Sequence, residues 1–216
     1  MIGDDGGDLL DGGSGIDSMI GGTGDDRYVL DSIGDTIIEY ANEGIDSVFT
    51  PFDYTLGATL ERLQIAFGSG PVNATGNDLD NFIGGNEFDN ILDGRGGADQ
   101  MAGYGGNDTY IVDNANDLVM AYQGFDRVRT SVSYNLLSDN SSEVDPLETT
   151  NQAGTGAIDL VGNEFNQTIV GNNGQNTIAG SRAGNDLNFD GVEDYDGLDV
   201  MNGNGGGDVF CLDIYQ

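Results

Sequence analysis

A nine-residue word, written twice in succession, constrains this chain more than any other feature. Gly12–Ile20 reads GGSGIDSMI and Gly21–Val29 reads GGTGDDRYV, so Gly-Gly-x-Gly-x-Asp is followed two residues later by one apolar side chain. The word is numbered here so that its acid is position six and its apolar residue position eight. Gly3–Asp11 is then a looser copy with Asp8 and Leu10, and Leu30–Ile38 keeps the beat with Asp35 and Ile37. Positions seven to nine read as a very short strand, with position eight on one side and its neighbours on the other. The six residues before them read as a turn, where glycine supplies backbone angles that side chains forbid. A repeat of fixed period implies stacked units. Two words make one coil of a flattened helix, neighbouring coils lie about 4.8 Å apart, and the position-eight residues form a narrow core.

The same register returns twice. Gly76–Gly84 and Gly85–Asp93 place Asn81 and Asn90 at position six, with Ile83 and Leu92 at eight. Gly94–Ala102 and Gly103–Ile111 restore Asp99 and Asp108, and the beat runs on through Asp117/Val119 and Asp126/Val128. A third block starts at Gly162, with Gln167 and Asn176 at six, and closes on Asp199/Met201 and Asp208/Phe210. Tyr28, Tyr110 and Phe210 share position eight, which makes them core residues rather than a sugar-binding stripe. The alternation of Val48, Thr50, Phe52, Tyr54 and Leu56 predicts a strand. Ser138–Gly156 is polar, has no period, and reads as a surface loop. The expectation is one continuous all-β parallel solenoid over 1–216. Its repeat blocks are 3–38, 76–129 and 162–213, joined by strand-containing spacers 39–75 and 130–161.

Composition says what such a stack needs. The chain holds 38 Asp and Glu against 6 Arg and no Lys or His, for a formal charge of −32, and 37 of its 216 residues are Gly. Self-repulsion and the entropy of glycine both oppose folding, so a cationic partner is expected to join the chain before it folds. Asp8 and Asp26, Asp17 and Asp35, Asp99 and Asp117, and Asp108 and Asp126 are each eighteen residues apart, which stacks them on one edge in adjacent coils. Carboxylates with bare glycine carbonyls make the all-oxygen environment calcium prefers; zinc and copper want His or Cys, and magnesium a tighter octahedron. The expected ligands are Asp8, Asp17, Asp26, Asp35, Asp99, Asp108, Asp117, Asp126, Asp199 and Asp208, with the turn glycines Gly12, Gly13, Gly15, Gly21, Gly22 and Gly24. Where Asn81, Asn90, Gln167 and Asn176 replace the acid, an amide coordinates without charge. Metal binding and a purely structural asparagine ladder both remain open for those coils.

GGSGIDSMI and GGTGDDRYV resemble the glycine/aspartate nonapeptides of the RTX, or hemolysin-type calcium-binding, family. The match is full over Gly12–Val29 and looser at Gly94–Ile111, where Arg95 and Tyr104 stand for the second glycine. The resemblance implies a right-handed parallel β-roll with calcium in its turns. It also implies export from a Gram-negative cell through a type I secretion channel, and folding triggered by extracellular calcium.

DLNFDGVED at Asp186–Asp194 departs from the nonapeptide and resembles the start of an EF-hand or dockerin-type calcium loop. Asp186, Asn188, Asp190 and Asp194 are its candidate ligands, Gly191 its bend and Val192 a carbonyl donor. The twelfth position is Gly197, so Asp196 or Asp199 would replace the usual acid, and 186–197 reads as an insertion in the solenoid. So acidic a surface repels nucleic acid and anionic lipid, and no apolar run reaches membrane-spanning length. The acidic start lacks the form of a signal peptide, and the lone Cys211 allows no internal disulfide. The favoured function is a non-enzymatic calcium-folded module of a secreted or surface protein. A surface-layer or adhesin segment assembling with other copies through its solenoid ends is the alternative, and a carbohydrate-active enzyme ranks third.

Overall fold

The computed structural model describes residues 1–136, 144–163, 167–180 and 200–211. They form an all-β solenoid: 22 short strands alternate in chain order between two faces, and every strand pairing is parallel. One face holds a seven-stranded sheet running from Leu9–Asp11 through Arg27–Val29, Ser47–Thr50, Arg62–Ile65, Phe82–Gly84 and Gln100–Ala102 to Leu118–Met120. The opposite face holds an eight-stranded sheet from Tyr54–Thr55 to Val200–Asn202. A three-stranded sheet (Ile2–Asp5, Ser18–Thr23, Thr36–Ile38) precedes it, and a four-stranded one ending at Val209–Cys211 follows.

The nonapeptide sets this register. Leu10 lies beside Tyr28, Met19 beside Ile37, Ile83 beside Met101 and Leu92 beside Tyr110, each pair eighteen residues apart and each residue at position eight. Stacking makes these side chains the core, and Met19, Tyr28, Ile83, Leu92, Met101 and Tyr110 are fully buried. Each such residue contributes roughly 1.5–3 kcal/mol relative to exposure. Position eight is therefore where a narrow solenoid gains its stability.

The spacers are coils too, of uneven length. Tyr28 pairs with Val48 twenty residues on, Val48 with Leu63 after fifteen, and Leu63 with Ile83 after twenty. Ile169 pairs with Met201 and Ile178 with Phe210, both thirty-two residues apart, so this coil carries fourteen residues beyond the usual eighteen. The insertion expected at 186–197 lies within that span, outside the described residues.

Three expectations need correcting. The run Val48–Leu56 is two strands, Ser47–Thr50 and Tyr54–Thr55, on different faces. The chain turns a corner at Pro51, which has no N–H to give to a ladder. Part of the presumed loop Ser138–Gly156 is the strand Val144–Thr149, in which Val144, Leu147 and Thr149 are buried beside Asp126–Thr130. Its period was hidden by the register shift between Asp126 and Val128, at a cis Asp145–Pro146 peptide. Phe210 is 40% exposed, because no described coil stacks beyond its own.

Candidate metal centre

The position-six acids form columns along the coil edges, joined by backbone amides. The N–H of Asp8 donates to Asp26 Oδ1 at 2.7 Å, that of Asp26 to Asp46 Oδ1 at 2.8 Å, and that of Asp46 to Glu61 Oε2 at 2.9 Å. Further along, Asn81 N–H donates to Asp99 Oδ1 at 2.7 Å and Asp99 N–H to Asp117 Oδ1 at 3.0 Å. The second register repeats the pattern: Asp17 N–H donates to Asp35, Asn90 N–H to Asp108 and Asp108 N–H to Asp126. Stacking thus brings together each of the four expected pairs. Within each pair, one carboxylate oxygen accepts the neighbouring coil's amide. Asp46 and Glu61 hold the same role across the spacer. They escape the nonapeptide reading because their coils are twenty and fifteen residues long.

The second carboxylate oxygen separates two kinds of acid. In Asp8, Asp17, Asp26 and Asp99, Oδ2 is buried and accepts no hydrogen bond. Asp26 is 1% exposed and Asp99 fully buried. A buried anionic oxygen without a donor is costly unless a cation meets it. Asp35 and Asp117 differ: Oδ2 of Asp35 accepts the N–H groups of Asp31 and Ser32, and Oδ2 of Asp117 those of Asp113 and Asn114. Both lie in words poor in glycine, LDSIGDTII and VDNANDLVM, whose turns fold back onto the acid. These two acids cap their own turns.

Amides at position six satisfy themselves. Asn90 Oδ1 accepts from Asn86 N–H at 2.8 Å, while its Nδ2 donates to Val72 O at 2.6 Å in the preceding coil. Gln167 Nε2 donates to Val144 O, and Asn176 Nδ2 to the carbonyls of Asn172 and Gly174. An amide supplies the donor that a carboxylate lacks, so both ends of these amides find partners within the protein. Asp208, half-buried on the last described coil, accepts from Asn176 N–H at 3.0 Å.

Glycine serves these acids in two ways. At position one it is a matter of contact: a Cβ on Gly12 would lie 2.6 Å from Asp17 Cβ, and one on Gly21 would overlap Asp26 Oδ2. At position two it is a matter of dihedral angle, as at Gly22 with φ 106°. Arg95 (φ 60°) and Tyr104 (φ 71°) keep that left-handed backbone without glycine, so the looser words still make the same turn. Gly13, Gly15 and Gly24 likewise have positive φ.

Burial raises the acids. Asp99 and Asp108 are pushed up to about 7 and Asp46 to about 6, chiefly by desolvation; neighbouring carboxylates add to the rise and the amide donors oppose it. Asp117 is raised by burial as well. A bound cation reverses such shifts, because it favours the charged form. The donors present, carboxylate oxygens at glycine-lined turns, suit a hard cation.

Comparison with known proteins adds one short likeness. Over 66 residues, 31% of this chain, it is 47% identical to an endo-1,3-1,4-beta-glycanase, ExsH, of Rhizobium meliloti (strain 1021). The chain spans only 14% of that protein's length. No family model and no solved structure matches. Asp186, Asn188, Asp190, Asp194 and Asp199 lie outside the described residues.

Proposed function

We propose that this chain is a calcium-binding module of RTX type, which folds on meeting extracellular calcium and serves the secretion, folding or surface display of a larger protein. The carrying observation is the set of buried, unpartnered Oδ2 atoms of Asp8, Asp17, Asp26 and Asp99. A net charge of −32 points the same way, since each divalent ion bound removes two negative charges from the fold. The metal supplies a positive charge at the turn and ties adjacent coils. The chain supplies the rest: position-six acids held by amide donors, position-one glycines that leave the acid room, and a core that stacks the coils. Binding free energy is then folding free energy, because the site exists only once coils are stacked.

Circular dichroism of the chelated protein, titrated with calcium and separately with magnesium, tests this reading. The expected result is a cooperative gain of β-structure near 10⁻⁴–10⁻³ M calcium, about the range of extracellular modules, and none with magnesium. A β-rich spectrum indifferent to chelator would overturn it.

The partial likeness to a glycanase raises a second reading, carbohydrate hydrolysis. That chemistry needs two carboxyls across a cleft. The surface depression lined by Ser47, Phe49, Arg62, Gln64 and Phe82 offers none. Assay of the pure chain on a mixed-linkage β-glucan decides the matter, and turnover would displace the module reading.

A further inference from the structure

We propose that Glu39 and Asp46 join the turn acid Asp26 in a buried divalent-cation site where the first repeat block meets the spacer. Glu39 and Asp46 belong to no nonapeptide ligand set. Glu39 takes position one of its word, where the words eighteen and thirty-six residues before it carry Gly21 and Gly3. Asp46 follows Asp26 by twenty residues, because that coil is two residues longer than the repeat. The site therefore exists where the pattern breaks. It rests on the calcium reading above only for the identity of the ion.

One carboxylate oxygen from each residue lies within 4.8 Å of the other two. That grouping can hold one divalent cation, whose bonds to oxygen are about 2.0–2.6 Å long. Asp26 and Asp46 are each 1% exposed. Asp26 Oδ2 and Glu39 Oε2 are buried with no hydrogen-bond partner.

The surrounding groups orient these acids without neutralising them. Asp26 Oδ1 accepts from Asp8 N–H, Asp46 Oδ1 accepts from Asp26 N–H, and Tyr28 donates its phenolic hydrogen to Glu39 Oε1. Among the described residues the ion pairs are those of Arg127 and Arg129 with Glu148, and none reaches this cluster. Gly21 makes the space: a Cβ there would overlap Asp26 Oδ2, Glu39 Oε1 and the Tyr28 hydroxyl at once.

Terbium serves as the probe, since it takes calcium sites and is excited through a nearby phenol, and the chain has no Trp to compete. The full chain and its Glu39→Gln, Asp46→Asn and Tyr28→Phe variants are titrated with terbium, and with calcium by calorimetry. Glu39→Gln keeps an acceptor for Tyr28 and removes one charge. It is expected to weaken one ion at least tenfold and leave the others unchanged, and Asp46→Asn to do the same. Tyr28→Phe is expected to lose a comparable share of tyrosine-excited emission. Unchanged ion number and affinity in Glu39→Gln and Asp46→Asn overturn the site. If both variants unfold, Tyr28→Phe decides alone, and undiminished emission overturns it. An Asp99→Asn/Asp108→Asn variant separates this idea from the turn reading. Full binding there, with loss in Glu39→Gln, sinks the turns and keeps this site; the converse sinks this site and keeps the turns.

Discussion

Aspartate and asparagine at position six solve one problem in two ways. Each offers an oxygen to an amide N–H, Asp99 to Asn81 of the coil before and Asn90 to Asn86 in its own turn. They differ in the second atom. Asn90 Nδ2 reaches Val72 O, whereas Asp99 Oδ2 is buried facing no donor. Asn90→Asp is therefore expected to raise the calcium concentration needed for folding, since a lost buried hydrogen bond costs about 1–3 kcal/mol. The calcium midpoint by circular dichroism measures it. Asp99→Asn is expected to act the other way, stabilising the metal-free coil and removing a calcium ion; an unchanged ion count by calorimetry would refute it. Gly103→Ala is expected to cost about 1–3 kcal/mol, the usual scale of overpacking, because the new methyl overlaps the Asp108 carboxylate and the Tyr110 hydroxyl.

The coil is the element of this fold, and each coil depends on its neighbours. Leu92 lies between Ala74 and Tyr110 in one sheet and is fully buried. Leu92→Ala is expected to cost about 2–5 kcal/mol. Hydrogen exchange should place the loss in the coils that flank it, since a solenoid's stability sums over nearest neighbours. The acid columns give the metal-free coils a pH dependence. Asp99 and Asp108 rise to about 7 in the fold from an ordinary value near 4. The folded state then binds more protons than the unfolded chain between those values, so stability is full below about pH 4 and is lost as pH rises through 7. In chelator, β-structure read by circular dichroism should grow as pH falls from about 8 to about 5. Calcium affinity should climb over the same interval, since the ion competes with those protons.

At the scale of the whole molecule, 38 acidic residues and 6 arginines make folding an electrostatic event. The two described ends of the stack, at Ile2–Asp5 and Val209–Cys211, are sheet edges, and edges invite strand pairing. Sedimentation with added calcium separates the two non-enzymatic readings. A folding module is expected to stay monomeric and compact; growth with concentration would favour assembly through the ends.

The nonapeptide by itself determined the parallel solenoid, the eighteen-residue coil and the buried position-eight residues Leu10, Met19, Tyr28, Ile83, Leu92, Met101, Tyr110, Val119, Val128, Ile169 and Ile178, because one apolar residue per short strand leaves a chain no other way to bury them. Pairing of the acids along each edge followed from the same spacing. Tertiary structure alone decided what that spacing left out. Asp35 and Asp117 turn out to be satisfied by their own turns, since a carboxylate takes whichever amides the backbone brings within reach. Val144–Thr149 is a strand because a register shift lets an irregular sequence lie in the sheet. Asp46 and Glu61 join the acid column only where coils depart from eighteen residues, and a period cannot announce the residues that break it.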